Sequence, residues 1–433
     1  MPFLNTTNQK IITFAGFLTA IAYLLFVLFQ DGLSISLYMG INFITFLVFF
    51  AQLYLIKKGE KGNFTLILLF AILFRVILLF SSPSTSDDVY RYLWEGKLVL
   101  NGYNPFELAP DDPALDALHT DLLPSKVSYP GMTTIYPTVS QVVFALGYFI
   151  SGENLLGLKL IYLFLDILTI LVLYRLLKVR GDPVENVLIY AWMPLTIMEY
   201  FINMHIDVAG IFFLVLLIYF LEVNKERFSA SAFGLGVMVK LYPLLLAPLI
   251  VKKIGFRKSI GYFLTAGIII ILLFIPFIPE KRSIAASFGT YMANWSFYGS
   301  VYPLLGVFFT NEVARITTLA LLGIVIIIIT IKSSDTISGI FYIALSHAIF
   351  ATTLFPWYLG YLAVLQTFKG KLSVFWLLFA INLTNFTPLF KPWQEYPWVS
   401  FLIYIPFYLL LLVESGGESF LKIKKFVHYR NTI

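Results

Sequence analysis

"IITFAGFLTAIAYLLFVLF", residues 11–29, holds no charged side chain. A helix needs about 20 such residues to cross the hydrocarbon core of a bilayer, so this run is long enough to span one. No small-residue cleavage signal accompanies it, and it is expected to stay as the first helix. Further mostly apolar runs, some carrying a charge, recur at 33–56, 64–81, 158–177, 183–202, 205–222, 259–278, 312–331, 337–354, 357–368, 372–390 and 397–413. Composition agrees: 59% of residues are hydrophobic and 12% charged, against about a quarter charged in a soluble domain. The expected fold class is an all-α polytopic membrane protein of about twelve spanning helices, with re-entrant or interfacial helices added. Residues 1–433 read as a single membrane domain, with no soluble domain, low-complexity linker or internal repeat.

The charge balance, 30 Lys and Arg against 24 Asp and Glu, is scattered over short loops rather than gathered in a patch. It therefore reads as topology and gives no sign of nucleic-acid binding. With no cysteine, disulfides, thiol nucleophiles and thiolate metal sites are excluded. No P-loop, dinucleotide-binding turn or nucleophile elbow is present, and no cofactor is expected.

The basic connections "KKGEKG" (57–62), "RLLKVR" (175–180), "NKER" (224–227), "KKIGFRK" (252–258), "KGK" (369–371) and "KIKKF" (422–426) belong on the cytoplasmic side. Alternation then requires two segments that do not simply cross. "TVSQVVFALGYFI" (138–150) is short and lies at the surface or re-enters. "SASAFGLGVMVKLYPLLLAPLI" (229–250), with Gly and Pro in its middle, reads as two half-helices that enter and return. Residues 1–63 form an N-terminal helical hairpin, and 82–157 the first long external loop. The loop 279–311 and the turns at 201–207, 354–359 and 391–397 fall on the same outer face.

That first loop opens with "SSPSTSDDVYRYLWEGKLVLNGYNPF" (81–106). Read as a helix with Ser86 as N-cap, it places Asp88, Arg91, Tyr92 and Glu95 on one stripe and Val89, Leu93, Gly96 and Leu100 on the other. Pattern alone fits an interfacial anchor, acids to water and aliphatics to lipid, as well as a carboxylate poised to take a proton from a hydroxyl. Arg75, inside "LFAILFRVILLFS", either snorkels to a headgroup or binds phosphate. Lys240, within the broken segment, needs a partner. Glu199, Asn203, His205 and Asp207 cluster around one helix turn. Glu199, His205 and Asp207 could in number supply three metal ligands, but no zinc-type spacing supports a metal site. Trp295, Tyr298, Trp357 and Tyr358 lie in loops rich in small and aromatic residues, suited to interfacial belts and to stacking on sugar rings.

Seven motifs occur in order: "SDDVYRYLWEGKLVLNGYNPF", "IYPTVSQ", "KLIYLFLDILTILVLYRLL", "WMPLTIMEYFINMHIDV", "GLGVMVKLYPLLLAPL", "NWSFYGSVYPLL" and "FPWYLGYL". Over roughly residues 64 to 400 this order resembles the GT-C superfamily of membrane glycosyltransferases. Within it, the bacterial polyprenyl-phosphate-mannose-dependent mannosyltransferases are the nearest resemblance. Residues 1–63 would then be an addition to a GT-C core. The resemblance implies inverting transfer of a hexose, mannose in those relatives, from a polyprenyl-phosphate donor. The acceptor would be lipid-linked or a glycan, at the external face of the cell membrane. It implies an aspartate base in the first external loop: Asp88, from its spacing to Arg91-Tyr92, with Asp87 second. It implies site roles for His205 and Asp207 and matches Lys240 to the family's lysine. Relatives often carry His where this chain has Phe355, which leaves that role without a bearer here. The sequence also admits transfer of another sugar such as aminoarabinose to a glycolipid, and a transporter or flippase of lipid-linked sugars. The latter should show broken helices paired between two halves, and one strong case is present.

Overall fold

The computed structural model describes residues 6–31, 34–56, 63–280, 286–389 and 394–415. Among them the chain is all-helical, apart from isolated bridges that pair Phe297 and Tyr298 with Thr353. In chain order the helices are α1 (Thr7–Phe29), α2 (Ser34–Leu55), α3 (Phe64–Leu78), α4 (Asp88–Leu100), α5 (Thr138–Ser151), α6 (Leu156–Arg180), α7 (Val187–Ala191), α8 (Pro194–Phe201), α9 (Asp207–Glu222) and α10 (Glu226–Val237). Then follow α11 (Ala247–Ile254), α12 (Phe256–Phe274), α13 (Ala286–Asn294), α14 (Val301–Gly306), α15 (Asn311–Lys332), α16 (Thr336–Phe350), α17 (Gly360–Lys369), α18 (Leu372–Ala380) and α19 (Pro397–Ser415).

Among the described residues, six helices are long and apolar enough to cross a membrane: α1, α2, α6, α12 with its extension to Phe277, α15 and α19. Their outward faces carry Phe14, Leu28, Leu264, Ile271, Ile331 and Leu412, all well exposed. Such continuous apolar surface suits lipid rather than water. The other apolar runs are shorter or interrupted. Residues 183–202, expected as one span, break between α7 and α8 because Pro194 has no N–H to continue the ladder. At the break, Arg75 donates to the Ala191 carbonyl at 2.9 Å, and the Trp192 indole reaches across to donate to the Ile67 carbonyl of α3 at 3.0 Å.

The segment 229–250 is broken as its Gly and Pro suggested. α10 ends at Val237, and a tight turn leads into a 3-10 turn (Tyr242–Leu246) and then α11. Lys240 meets Asp207 at one end of α9, and Lys253 lies 3.6 Å from Glu222 at the other. The two halves therefore climb and return along α9. The start of α5 satisfies the interrupted backbone: the Val139 N–H donates to the Met238 carbonyl and the Ser140 hydroxyl to the Val239 carbonyl.

α4 overturns the interfacial-anchor reading. Val89, Tyr92, Leu93, Trp94, Glu95 and Leu98 are all buried, so most of both stripes packs inside the protein, with Leu100 at the helix end exposed. Gly96 abuts α5, where a Cβ would fall 2.3 Å from the Phe144 carbonyl, a crossing that only glycine permits. Asp87 rather than Ser86 takes the N-cap position, and the Ser86 hydroxyl accepts from the Asp88 N–H at 3.3 Å.

At the far end of α9, Arg180 pairs with Asp182, Glu222 and Asp335, while Lys369 lies near Asp335. Basic connections distant in sequence thus converge at one end of the bundle. The loops at 57–62 and 422–426 and residues 391–393 lie outside the described residues.

Candidate active site

At the opposite end of α9 from that basic cluster, the helices enclose a cavity of about 1470 Å³. Its walls come from the loop before α4, the loop 128–137, the break after α10, the end of α13 and the turn before α17. Their spread along the sequence explains why no single motif announces the cavity.

Asp88 reaches it from the first turn of α4, with a third of its side chain exposed. Its carboxylate lies 3.4 Å from the Tyr136 hydroxyl and 3.7 Å from His205 Nδ1. Burial first, and the neighbouring charge of Asp87 second, push the Asp88 carboxyl up to about 6; Lys240, Arg91 and Tyr136 pull the other way. Asp87 also lines the cavity, more openly, and accepts a hydrogen bond from the Ser128 hydroxyl at 2.5 Å.

The loop that carries these acids is pinned from beneath. Asn203 Oδ1 accepts from the Thr85 N–H at 3.1 Å and from that of Ser84 at 3.3 Å. Asn203 Nδ2 donates to Glu199, whose other oxygen receives the Tyr38 hydroxyl at 2.7 Å. Glu199 is fully buried and supports the wall rather than lining it. The expected pairing of Glu199 and Asn203 across one helical turn is thus present, with a positioning consequence that spacing did not show.

His205 is fully buried and stacked on Trp357, ring centroids 3.6 Å apart. Its Nδ1 faces Asp88, and its Nε2 lies 3.5 Å from Glu199. Asp207, at the start of α9, accepts from the Lys240 ammonium at 2.6 Å. That ammonium also sits 4.1 Å from the Tyr358 ring centroid and borders the cavity. His205 and Asp207 therefore turn to different partners. Among the described residues no group of three His, Asp or Glu side chains is disposed to hold a metal ion.

Other expected site residues are placed elsewhere. Arg75 is sealed in the bundle, paired with Asp166 and donating to the Ala71 and Ala191 carbonyls, so it is neither a snorkelling side chain nor a cavity cation. Its partner also accepts the Tyr190 hydroxyl. Glu95 is buried among Thr134, Gln141 and Arg91, off the cavity wall. Tyr298 is fully buried with a φ of 41°; its N–H donates to Glu395 and its carbonyl accepts from Tyr404. It orders the loop and does not face the cavity. Arg91, Tyr92, Trp295, Trp357 and Tyr358 do border it. Arg91 clamps the carbonyls of Ser128, Tyr129 and Met132, and Tyr92 stacks on Phe144 at 4.4 Å.

Sequence reading overlooked Tyr136, Tyr129, Tyr291 and His347 as cavity residues. Tyr136 lay within a quoted motif, "IYPTVSQ". Asp166, an acid alone in an apolar run, carried a signal that a buried partner awaited it.

Comparison with known proteins fits this arrangement. No curated protein matches the chain. The family described as alpha-(1->6)-mannopyranosyltransferase, N-terminal domain, matches residues 21–254, more than half of its length. The match takes in both cavity acids, the His205–Asp207 turn and Lys240. The chain therefore belongs to the alpha-(1->6)-mannopyranosyltransferase family, a GT-C-type family of membrane glycosyltransferases, and is a mannosyltransferase.

Proposed function

We propose that the enzyme transfers mannose from a polyprenyl-phosphate donor to a hydroxyl of a lipid-linked or glycan acceptor, with inversion at the anomeric carbon. The observation that carries this reading is one cavity bordered by a carboxylate whose affinity for a proton is raised and by a lysine ammonium. The acceptor oxygen forms its bond to C1 as the bond from C1 to the phosphate oxygen breaks. The bonding pair leaves with the phosphate, which becomes a monoester dianion, and the acceptor proton passes to Asp88. Lys240 meets the developing charge on the phosphate, and His205 lies beside Asp88 on the side away from the cavity. Asp87, already accepting from Ser128 and more open to water, is the weaker candidate for the base.

We infer about twelve passes of the chain, with 229–250 re-entrant, and on that count the cavity belongs to the external face. The convergence of Arg180, Lys253 and Lys369 at the other end of α9 supports this, since basic ends stay in the cytoplasm. A lipid-carried donor suits that face, where cytoplasmic nucleotide sugars do not reach.

Purified chain with a radiolabelled polyprenyl-phosphate mannose tests the assignment. Asp88→Asn is expected to lower transfer by about 10²- to 10⁴-fold, and Asp87→Asn by less than about tenfold. Full transfer by Asp88→Asn overturns the choice of base. A cysteine placed at Asp112, in a chain that has none, should react with an impermeant reagent from outside only.

A further inference from the structure

Tyr129 is an unusual residue to find at the mouth of the cavity. It is 60% exposed, yet its φ of 53° puts a bulky aromatic in the left-handed region that such residues avoid. Strain of this kind persists only where the surroundings impose it, and it gathers at binding sites. Here the surroundings are explicit. Arg91 donates to the carbonyls of Ser128 at 2.6 Å, Tyr129 at 2.8 Å and Met132 at 3.2 Å. The Met132 N–H closes the turn onto the Tyr129 carbonyl at 3.0 Å, and Ser128 is tied to Asp87. All this fixes a ring whose face packs no core.

The ring stands edge-to-face with Trp295, centroids 4.9 Å apart at 67°. Trp295 meets Tyr291 at 5.4 Å, the Tyr291 hydroxyl bonds that of Tyr358 at 2.8 Å, and Lys240 covers the Tyr358 ring. An aromatic arc therefore runs from Tyr129 to the ammonium. The cation lies at one end, and the exposed ring lies at the other, next to Ser128, whose hydroxyl donates to Asp87.

We propose that Tyr129 and Trp295 form a ledge that stacks the hexose ring of the acceptor beside the catalytic acids. The C–H face of a pyranose is apolar and its rim polar, which matches an exposed aromatic face in a polar mouth. The proposal rests on the transfer reading above and adds the acceptor's place. In-line displacement puts the acceptor on the side of C1 away from the leaving phosphate. With the phosphate at Lys240, the far end of the arc is left for the acceptor. Arg91 is then a positioning residue that acts through Tyr129.

Octyl α-mannopyranoside is the acceptor probe. Tyr129→Ala and Tyr129→Gly should each raise its KM about tenfold while kcat and donor KM hold, and Tyr129→Phe should match the parent. Tyr129→Gly removes the ring and relieves the backbone, so parental KM in that variant means that the backbone, not the ring, matters and overturns the ledge. Binding of the same mannoside without donor, followed by saturation-transfer NMR, separates this proposal from the donor assignment. Binding that needs the ring, in a chain that transfers nothing from the lipid phosphate, sinks the donor and keeps the ledge. Absent binding by the parent, or undiminished binding by Tyr129→Ala, sinks the ledge whatever the donor.

Discussion

Arg75 and Lys240 are both lone cations set in apolar sequence, and their surroundings differ completely. Arg75 is 1% exposed and faces an equally buried Asp166, with two backbone carbonyls accepting from its Nη1. Lys240 pairs with a buried Asp207 but keeps 21% of its side chain exposed, against Tyr358 and the cavity. The first cation closes a gap in the bundle where Pro194 interrupts the backbone. The second leaves part of its charge free to meet a ligand. A saturated pair stabilises, whereas an unsaturated one can also bind.

The largest effect should come from breaking the sealed pair. Arg75→Leu strands a buried carboxylate and the Ala191 carbonyl, and should destabilise the protein by about 3–5 kcal/mol in an SDS-unfolding titration. Adding Asp166→Leu should recover much of that loss. Parental stability in the single variant removes the structural role given to Arg75.

Lys240→Met should shift that unfolding midpoint far less, because cavity water can reach Asp207's partner position. It should lower kcat by about 10²- to 10³-fold, as loss of a donor aimed at developing charge does. If Lys240→Met instead unfolds the protein as Arg75→Leu does, the two cations are alike and the contrast fails.

The smallest and most discriminating effect is on pH. Asp88 must be ionised to act as base and its carboxyl is raised to about 6, so the rate should climb with pH up to that value and level off above it. Asp87→Asn removes the second of the two raising influences and should move the limb down. Loss of Lys240 removes the opposing cation and should move it up, whereas Arg75→Leu should leave it in place. A limb indifferent to Asp87→Asn argues that another group titrates.

Local pattern carried much of the site. The His205–Asp207 turn, Lys240 on a broken helix and adjacent acids at the start of α4 all stand in short motifs; Asp87, Asp88, Asp207 and Lys240 line the cavity, and His205 packs behind Asp88. The failures share one cause. Arg75, Glu95 and Tyr298 have side chains suited to a ligand, but each finds all its partners inside the protein. Tyr129 failed in the opposite sense: nothing in "SKVSYPGM" announces a strained, exposed ring.

The apolar runs by themselves determined a helical membrane protein, because a chain in lipid must satisfy its backbone within each segment. Their Gly and Pro marked where the segment 229–250 breaks. What remained for the tertiary structure was the meaning of each polar residue within those runs. α4 shows why: its charged stripe reads as a water-facing surface, yet contacts with residues dozens of positions away bury Glu95 and leave Asp88 facing the cavity. Only packing decides whether a charge finds its partner in the protein or keeps a face open to substrate.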